Sequence, residues 1–124
     1  MTSSPLLVIV DAANVVGSVP DGWWRDRRGA AERLRDRLAA EGLPGVAAGA
    51  VETVLVVEGA ARGVESVPGV RVESADGSGD DLVVELVAAA RPARRCLVVT
   101  ADRDLRRRVT GLGAAVTGPR AARP

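Results

Sequence analysis

The feature that most constrains this chain is a set of short, unbroken apolar runs separated by stretches with helical spacing. Leu6-Leu7-Val8-Ile9-Val10, Val54-Leu55-Val56-Val57 and Cys96-Leu97-Val98-Val99 contain no polar residue. A strand with one wet face alternates polar and apolar residues, whereas a strand covered on both faces does not. Such runs call for a mainly parallel sheet with helices on both sides. The intervening segments supply those helices. Ala30, Ala31, Leu34 and Leu38 recur at helical spacing over Asp26 to Glu41, with Gly42 and Pro44 to stop the helix. Leu82, Val83, Leu86, Val87 and Ala90 do the same from Asp80, and Pro92 stops them. Leu105 and Val109 place a third helix over Asp102 to Thr110, with Arg106, Arg107 and Arg108 mostly outward. Weaker signals predict a helical stretch near Ala60 to Ser66, a brief strand at Val70 to Glu73 and a last strand at Ala114 to Thr117. Val15 to Gly22 reads as a loop, and the segment after Gly118 as a frayed, Pro- and Arg-containing tail. The expected fold class is α/β, a three-layer α/β/α sandwich in one domain over residues 1–124, with its core at about 6–118.

The chain has 124 residues, 47% of them apolar, which suits one globular core and not two. No apolar run approaches the ~18 residues that a membrane span requires, and no secretion signal opens the chain, so a cytoplasmic protein is expected. Cys96 is the only cysteine and lies inside an apolar run, where it reads as a small hydrophobe. There is no His, which removes Ser-His-Asp catalysis and His-rich zinc sites. Chemistry must therefore run on carboxylates, hydroxyls and Arg. The formal charge is only +1, but every cationic side chain is Arg. Nine of these fall from Arg91 onward, against two Asp. The planar guanidinium suits phosphate, although a bias toward Arg, Ala, Gly and Val is also what a GC-rich genome produces.

Three acidic motifs stand where strands run out. Asp11-Ala12-Ala13-Asn14 follows the first run, and Gly79-Asp80-Asp81-Leu82 follows the Val70 strand and a small-residue loop. Thr100-Ala101-Asp102-Arg103-Asp104 follows the Cys96 run. Parallel strands end along one edge, and ligands of open α/β sheets bind at that edge where strand order reverses. Carboxylates ~4 Å apart repel by about 4 kcal/mol per pair at an effective dielectric of 20. A cluster of them implies a neutralising cation or shared protons. Oxygen-only ligation suits Mg²⁺ or Mn²⁺, which activates water and stabilises charge on a phosphoryl group.

Plainer roles stand beside these. Asp80 and Asp102 both open helices and can act as N-caps. Asp81 and Asp104 lie in first turns, where the helix dipole favours acids. Asn14 can hold a turn. Asp11 has no obvious helix to cap. Trp23 and Trp24, the only aromatics, precede Arg25, Arg27 and Arg28. They can stack bases of single-stranded nucleic acid or anchor the first helix on the core. Glu85, one turn beyond Asp81, is a further acid within reach of the same edge or a solvent-facing helix residue.

Taken together, the three motifs resemble those of the PIN-like nucleases, and within them the NYN domain, most closely its YacP-like branch. The similarity runs from about Leu7 to Gly118. Asp11 and Asn14, three apart after the first strand, look like the family's first motif. Gly79-Asp80-Asp81 looks like its middle acidic motif, and Thr100-Ala101-Asp102-Arg103-Asp104 like its fourth-strand motif. The resemblance implies a five-stranded sheet ordered 3-2-1-4-5, a Mg²⁺- or Mn²⁺-dependent site and RNA as substrate. By matching positions it implies Asp11, Asp81 and Asp102 as leading metal ligands, with Asp80 and Asp104 as direct or water-mediated ones. The choice between Asp80 and Asp81 stays open. Asn14 and Thr100 would orient ligands or the scissile phosphate, and Trp23, Trp24, Arg25, Arg103 and Arg106 would contact RNA.

The expected function is a metal-dependent ribonuclease. The alternative is a non-catalytic RNA-binding module of the same fold. A phosphoacceptor receiver domain is disfavoured because there is one Asp after the first strand and no Lys. A haloacid-dehalogenase-type phosphatase is disfavoured because Ala13 stands where Asp-x-Asp needs its second acid. The oligomeric state is open, a dimer included.

Overall fold

The computed structural model describes residues 5–43 and 51–122. Five parallel strands form one sheet in the order β3-β2-β1-β4-β5. They are β1 (Leu6–Asp11), β2 (Val51–Val57), β3 (Val70–Ser74), β4 (Cys96–Val99) and β5 (Ala115–Thr117). The helices are α1 (Ala12–Gly17), α2 (Arg27–Glu41), α3 (Gly79–Ala90) and α4 (Arg103–Thr110). This is the α/β class expected from the unbroken apolar runs, with the strand order that the family resemblance implied.

Within the central strands, Leu7–Val10, Val54–Val57 and Cys96–Val99 are apolar because both faces are covered. Val8 and Val10 of β1 and Leu55 and Val57 of β2 pack with Val15, Ala31, Leu34 and Leu38 of α1 and α2. Leu7, Ile9, Val54 and Val56 point the other way and pack with Val83, Val87, Leu105 and Val109 of α3 and α4. The period-two alternation of strand side chains thus divides each run between two cores. Cys96 lies in the second of these, and burial pushes its thiol pKa up against the pull of Arg91 and Arg94. It behaves as the small hydrophobe expected.

Four readings need correction. Val15 to Gly22 does not begin as a loop, because Ala12–Gly17 forms a short helix with Val15 buried. The β-branched Val15 and Val16 and the brevity of six residues hide its period. The stretch near Ala60 to Ser66 forms only one 3-10 turn, Gly59–Ala61. Gly59 and Gly63 adopt φ of 58° and 88°, which break a helix on both sides. The first turn of α3 is capped by Ser78, whose hydroxyl accepts from the Asp80 amide, so Asp80 is not the N-cap. The segment after Gly118 is not frayed within the described residues. Pro119–Ala121 forms a 3-10 turn, and Ala122 is fully buried against the α1–α2 side of the core. The Arg37 guanidinium donates to the Ala122 carbonyl. Small apolar residues placed beside Arg outweigh the polar look of the tail.

Other boundaries stand within one to three residues of the sequence reading. Asp26 caps α2 by accepting from the Gly29 amide, and Gly42, at φ 69°, ends it. Pro44, the second stop signal, lies outside the described residues. So do the lead-in residues 1–4.

Leu105 joins α4 to the second core with no solvent exposure. Leu105→Ala should lower the unfolding free energy by about 3 kcal/mol, within the range for buried Leu truncations. Urea denaturation checks it. A loss below 1 kcal/mol would mean that α4 is not held on the sheet by this side chain.

Candidate functional site

Strand register fixes the site. Asp11 is the last residue of β1 and lies beside Val56 of β2. On the other side Val10 pairs with Val99, so Thr100 follows at the level of Asp11. Because β2 and β4 flank β1 and lead the chain in opposite directions, strand order reverses here, and the edge is open.

A chain of hydrogen bonds joins the two strand ends. The Thr100 hydroxyl donates to Asp11 Oδ2 over 3.0 Å, and both residues are buried. Thr100 Oγ1 in turn accepts from the Asp102 amide at 3.2 Å. Asn14 Oδ1 accepts from the Ala101 amide at 2.8 Å, tying α1 to the β4–α4 turn. Asp102 caps α4 through the Leu105 amide at 2.9 Å. Asp11 caps α1 by accepting from the Asn14 amide at 3.4 Å. Asp11 therefore has the structural task that the sequence did not reveal, in addition to its place on the edge.

Burial is the main reason that the Asp11 pKa rises to about 6 from 3.8. The hydrogen bonds from Thr100 and Asn14 oppose the rise, and the charges of Asp80 and Glu58 add to it. The pKa of Asp80 is also raised, first by burial and then by Asp102 and Glu58, with Arg108 pulling it down. Asp11 thus feels the charges of Asp80 and Glu58, and Asp80 those of Asp102 and Glu58.

Glu58 was absent from the sequence reading, although its signal was there. It directly follows the apolar run of β2, just as Asp11 follows β1. Its carboxylate lies against α3, where a Cβ on Gly79 would stand 2.8 Å from Oε1. Gly79 is the residue that leaves room for it.

The remaining candidates are placed differently. Asp81 is exposed, and its Oδ1 accepts from Arg108 at 2.9 Å. Asp104 is exposed and paired with Arg107. Glu85 is exposed on α3. Arg106 donates to the Thr100 carbonyl at 2.7 Å and so braces the turn. Arg103 is exposed, and its side chain makes no hydrogen bond or ion pair among the described residues. Trp24 is 54% exposed, with the Arg25 guanidinium 5.9 Å from its ring centre. Trp23 is half-buried, edge-on to Trp24 at 6.1 Å and with Arg27 5.2 Å from its ring centre.

The donor chemistry of this edge, all oxygen and anionic, suits a hard divalent cation. Its placement is looser than a finished cage. Among the described residues, no group of three or more acids is gathered closely enough to hold a metal ion.

No family model matches the sequence, and no curated protein does. The fold does have a solved counterpart. The chain superposes on the crystal structure of Rae1 (YacP) from Bacillus subtilis with a TM-score of 0.61. The match covers 94% of this chain and 71% of that one, at 18% identity. At that identity the likeness is one of fold. No helix among the described residues is long and apolar enough to cross a membrane.

The Asp11 carboxyl makes stability depend on pH. Its folded pKa lies above its unfolded one, so the folded chain holds the proton more tightly. Its contribution is most favourable below about pH 4 and is lost as pH rises through 6. Between pH 4.5 and 7.5 the expected loss is about 2 kcal/mol, and Asp11→Asn should remove that part of the pH dependence. Urea denaturation of both proteins at the two pH values measures it. Parallel pH profiles would refute the assignment.

Proposed function

We propose that this chain is a ribonuclease that hydrolyses RNA phosphodiester bonds at the carboxyl edge of β1 and β4. The observation that carries the reading is the hydrogen-bonded chain Asp11–Thr100–Asp102, with Asp80 and Glu58 close enough to raise the cost of ionising Asp11. An acidic edge held this way is costly to the fold, as a functional site often is. The YacP-like fold, which covers nearly the whole chain, supports the same reading.

Mg²⁺ or Mn²⁺ is the cofactor this reading calls for; Asp11, Asp80 and Asp102 would hold it only by drawing closer together than they stand, and it would supply neutralisation of phosphoryl charge and an activated water. Asp80 takes the place that the family resemblance gave first to Asp81, because Arg108 engages Asp81 on the exposed side of α3. Thr100 fixes the orientation of Asp11. Asn14 has its oxygen committed to Ala101, which leaves its amide nitrogen as a donor toward a phosphate oxygen. Arg103, exposed at the start of α4, would meet the RNA backbone in this reading. Arg106 serves instead as a brace.

The test is cleavage of a labelled single-stranded RNA with Mg²⁺ or Mn²⁺. Asp11→Asn and Asp80→Asn should each lower the rate by more than about 100-fold, beyond what losing an outer partner of such a site costs. Asp81→Asn should lower it far less. Cleavage that survives EDTA or Asp11→Asn would overturn the mechanism.

A second reading, an RNA-binding module without activity, draws on the absence of a grouped three-acid cage among the described residues. It calls for salt-sensitive RNA binding that Asp11→Asn leaves intact or strengthens, with no cleavage by the native chain. A gel shift run on the cleavage samples separates the two.

A further inference from the structure

Arg35, Arg37, Arg71, Arg94, Arg107 and Arg108 each lie within ion-pair distance of an acid. Arg28 and Arg106 instead donate to backbone carbonyls. Arg25 and Arg27 are held differently. Among the described residues their side chains make no hydrogen bond or ion pair. Each guanidinium faces an indole, Arg25 at 5.9 Å from the Trp24 ring centre and Arg27 at 5.2 Å from that of Trp23. The two rings play separate parts. Trp23 is close to α1, since a Cβ on Gly17 would lie 3.7 Å from its Cζ2, and it meets Trp24 edge-on at 6.1 Å. Trp24 is the more exposed of only two large apolar side chains left open to solvent among the described residues.

Positive charge is in surplus here. Arg28 holds the carbonyls of Arg62 and Gly63, which brings the exposed Arg62 to the same side of the molecule. Asp26, the one acid within residues 23–27, is committed to the Gly29 amide. The first turn of α2 has no acid, although the helix dipole favours one there. The strip also borders the acidic edge. A cavity of about 330 Å³ is lined by Trp23 and Arg27 and by Ala12 and Ala13, which directly follow Asp11. A guanidinium resting on an indole keeps its N–H groups free for phosphate oxygens. An exposed indole stacks any base, since every base has a π face. Bases of a duplex are already stacked on one another, so the strip fits a single strand. An acidic peptide would engage the arginines but leave Trp24 without a planar partner.

We propose that this strip holds single-stranded RNA without regard to its sequence, with Trp24 stacking a base and Arg25 and Arg27 holding the adjacent phosphates. The inference rests on the ribonuclease reading and deepens it, because it gives the strand a path from the acidic edge along the α1–α2 side. It separates the two tryptophans. Trp23 anchors the turn on α1, and Trp24 meets the RNA.

Binding in EDTA, measured without cleavage, tests this. The full chain is titrated against a fluorescently labelled oligouridylate and against an abasic strand of the same length, and anisotropy is read. The strand with bases should bind about tenfold more tightly, the scale of one stacked base. Trp24→Leu should bring it down to the level of the abasic strand, whose own affinity should not change. Arg25→Gln combined with Arg27→Gln should flatten the fall of log affinity with log salt by about 1.4, the value for two phosphate contacts on a single strand. All three positions are exposed, so the fold tolerates these changes. Arg71→Gln, at an arginine already paired with Glu52 and Glu73, should leave the slope as it is. Equal affinity for the two strands would overturn the proposal, as would an equal loss of slope in Arg71→Gln. A polyglutamate peptide that binds as tightly as the RNA would also overturn it, in favour of an acidic protein partner. A chain that binds RNA in this way but does not cut it with Mg²⁺ or Mn²⁺ would sink the ribonuclease reading alone. Cleavage with an unaltered KM in Trp24→Leu and in the double arginine variant would sink the strip alone.

Discussion

The structure of the carboxyl edge depends on burying one carboxyl, that of Asp11, at the end of the central strand. Only 4% of the residue is exposed, and its two oxygens are taken up by the Thr100 hydroxyl and the Asn14 amide. Those two contacts decide where α1 starts and how the β4–α4 turn lies against β1. Asn14 then reaches from α1 to the Ala101 amide, and Thr100 reaches on to Asp102, so one acid organises three chain segments. Its ionisation is nevertheless resisted by burial and by two neighbouring acids. An acid here imposes a cost that a function can explain.

The middle motif shows how a local cap sets which acid faces the site. Ser78 takes the N-cap, so Asp80 and Asp81 fall at successive positions of the first turn, about 100° apart around the helix axis. Asp80 turns toward Asp102 and Glu58, and Asp81 turns toward Arg108 on α4. Arg108 thus links α3 to α4 while its charge also reaches Asp80. At the same point, Gly79 lacks a Cβ and lets the Glu58 carboxylate approach the helix. The acidic edge is therefore crowded by design of its backbone and not only by the number of its acids.

The fold was legible because its signal is long-range and redundant. Three unbroken runs declare buried parallel strands, and Leu34, Leu38, Val83, Val87 and Leu105 mark the helix faces that cover them. What escaped was local. The six residues of α1 are too few to display a period, and Asp11-Ala12-Ala13-Asn14 reads equally as a turn. The N-cap of α3 lies one residue before Gly79, and serine there competes with two aspartates for the same role. Glu58 stood in the same relation to β2 as Asp11 to β1, but it lacked a neighbouring motif to draw attention. Trp23 and Trp24 are adjacent in sequence, and only packing against α1 distinguishes the half-buried ring from the exposed one. The buried Ala122 could not be foreseen, since nothing in a short Arg- and Pro-containing segment signals a contact with residues some eighty positions earlier.

The order 3-2-1-4-5 places the first strand to be synthesised at the centre of the sheet. One side of β1 acquires β2 after about forty residues of intervening chain, but the other waits for Cys96–Val99. Until then the growing polypeptide carries an apolar strand with an open hydrogen-bonding edge. Thr100, the partner of Asp11, emerges later still, 89 residues after it. Non-local pairing of this kind slows folding and leaves strand edges available to other chains. The acidic edge accordingly needs the β1–β4 pairing, and a chain that stops before Cys96 has a sheet half but no site.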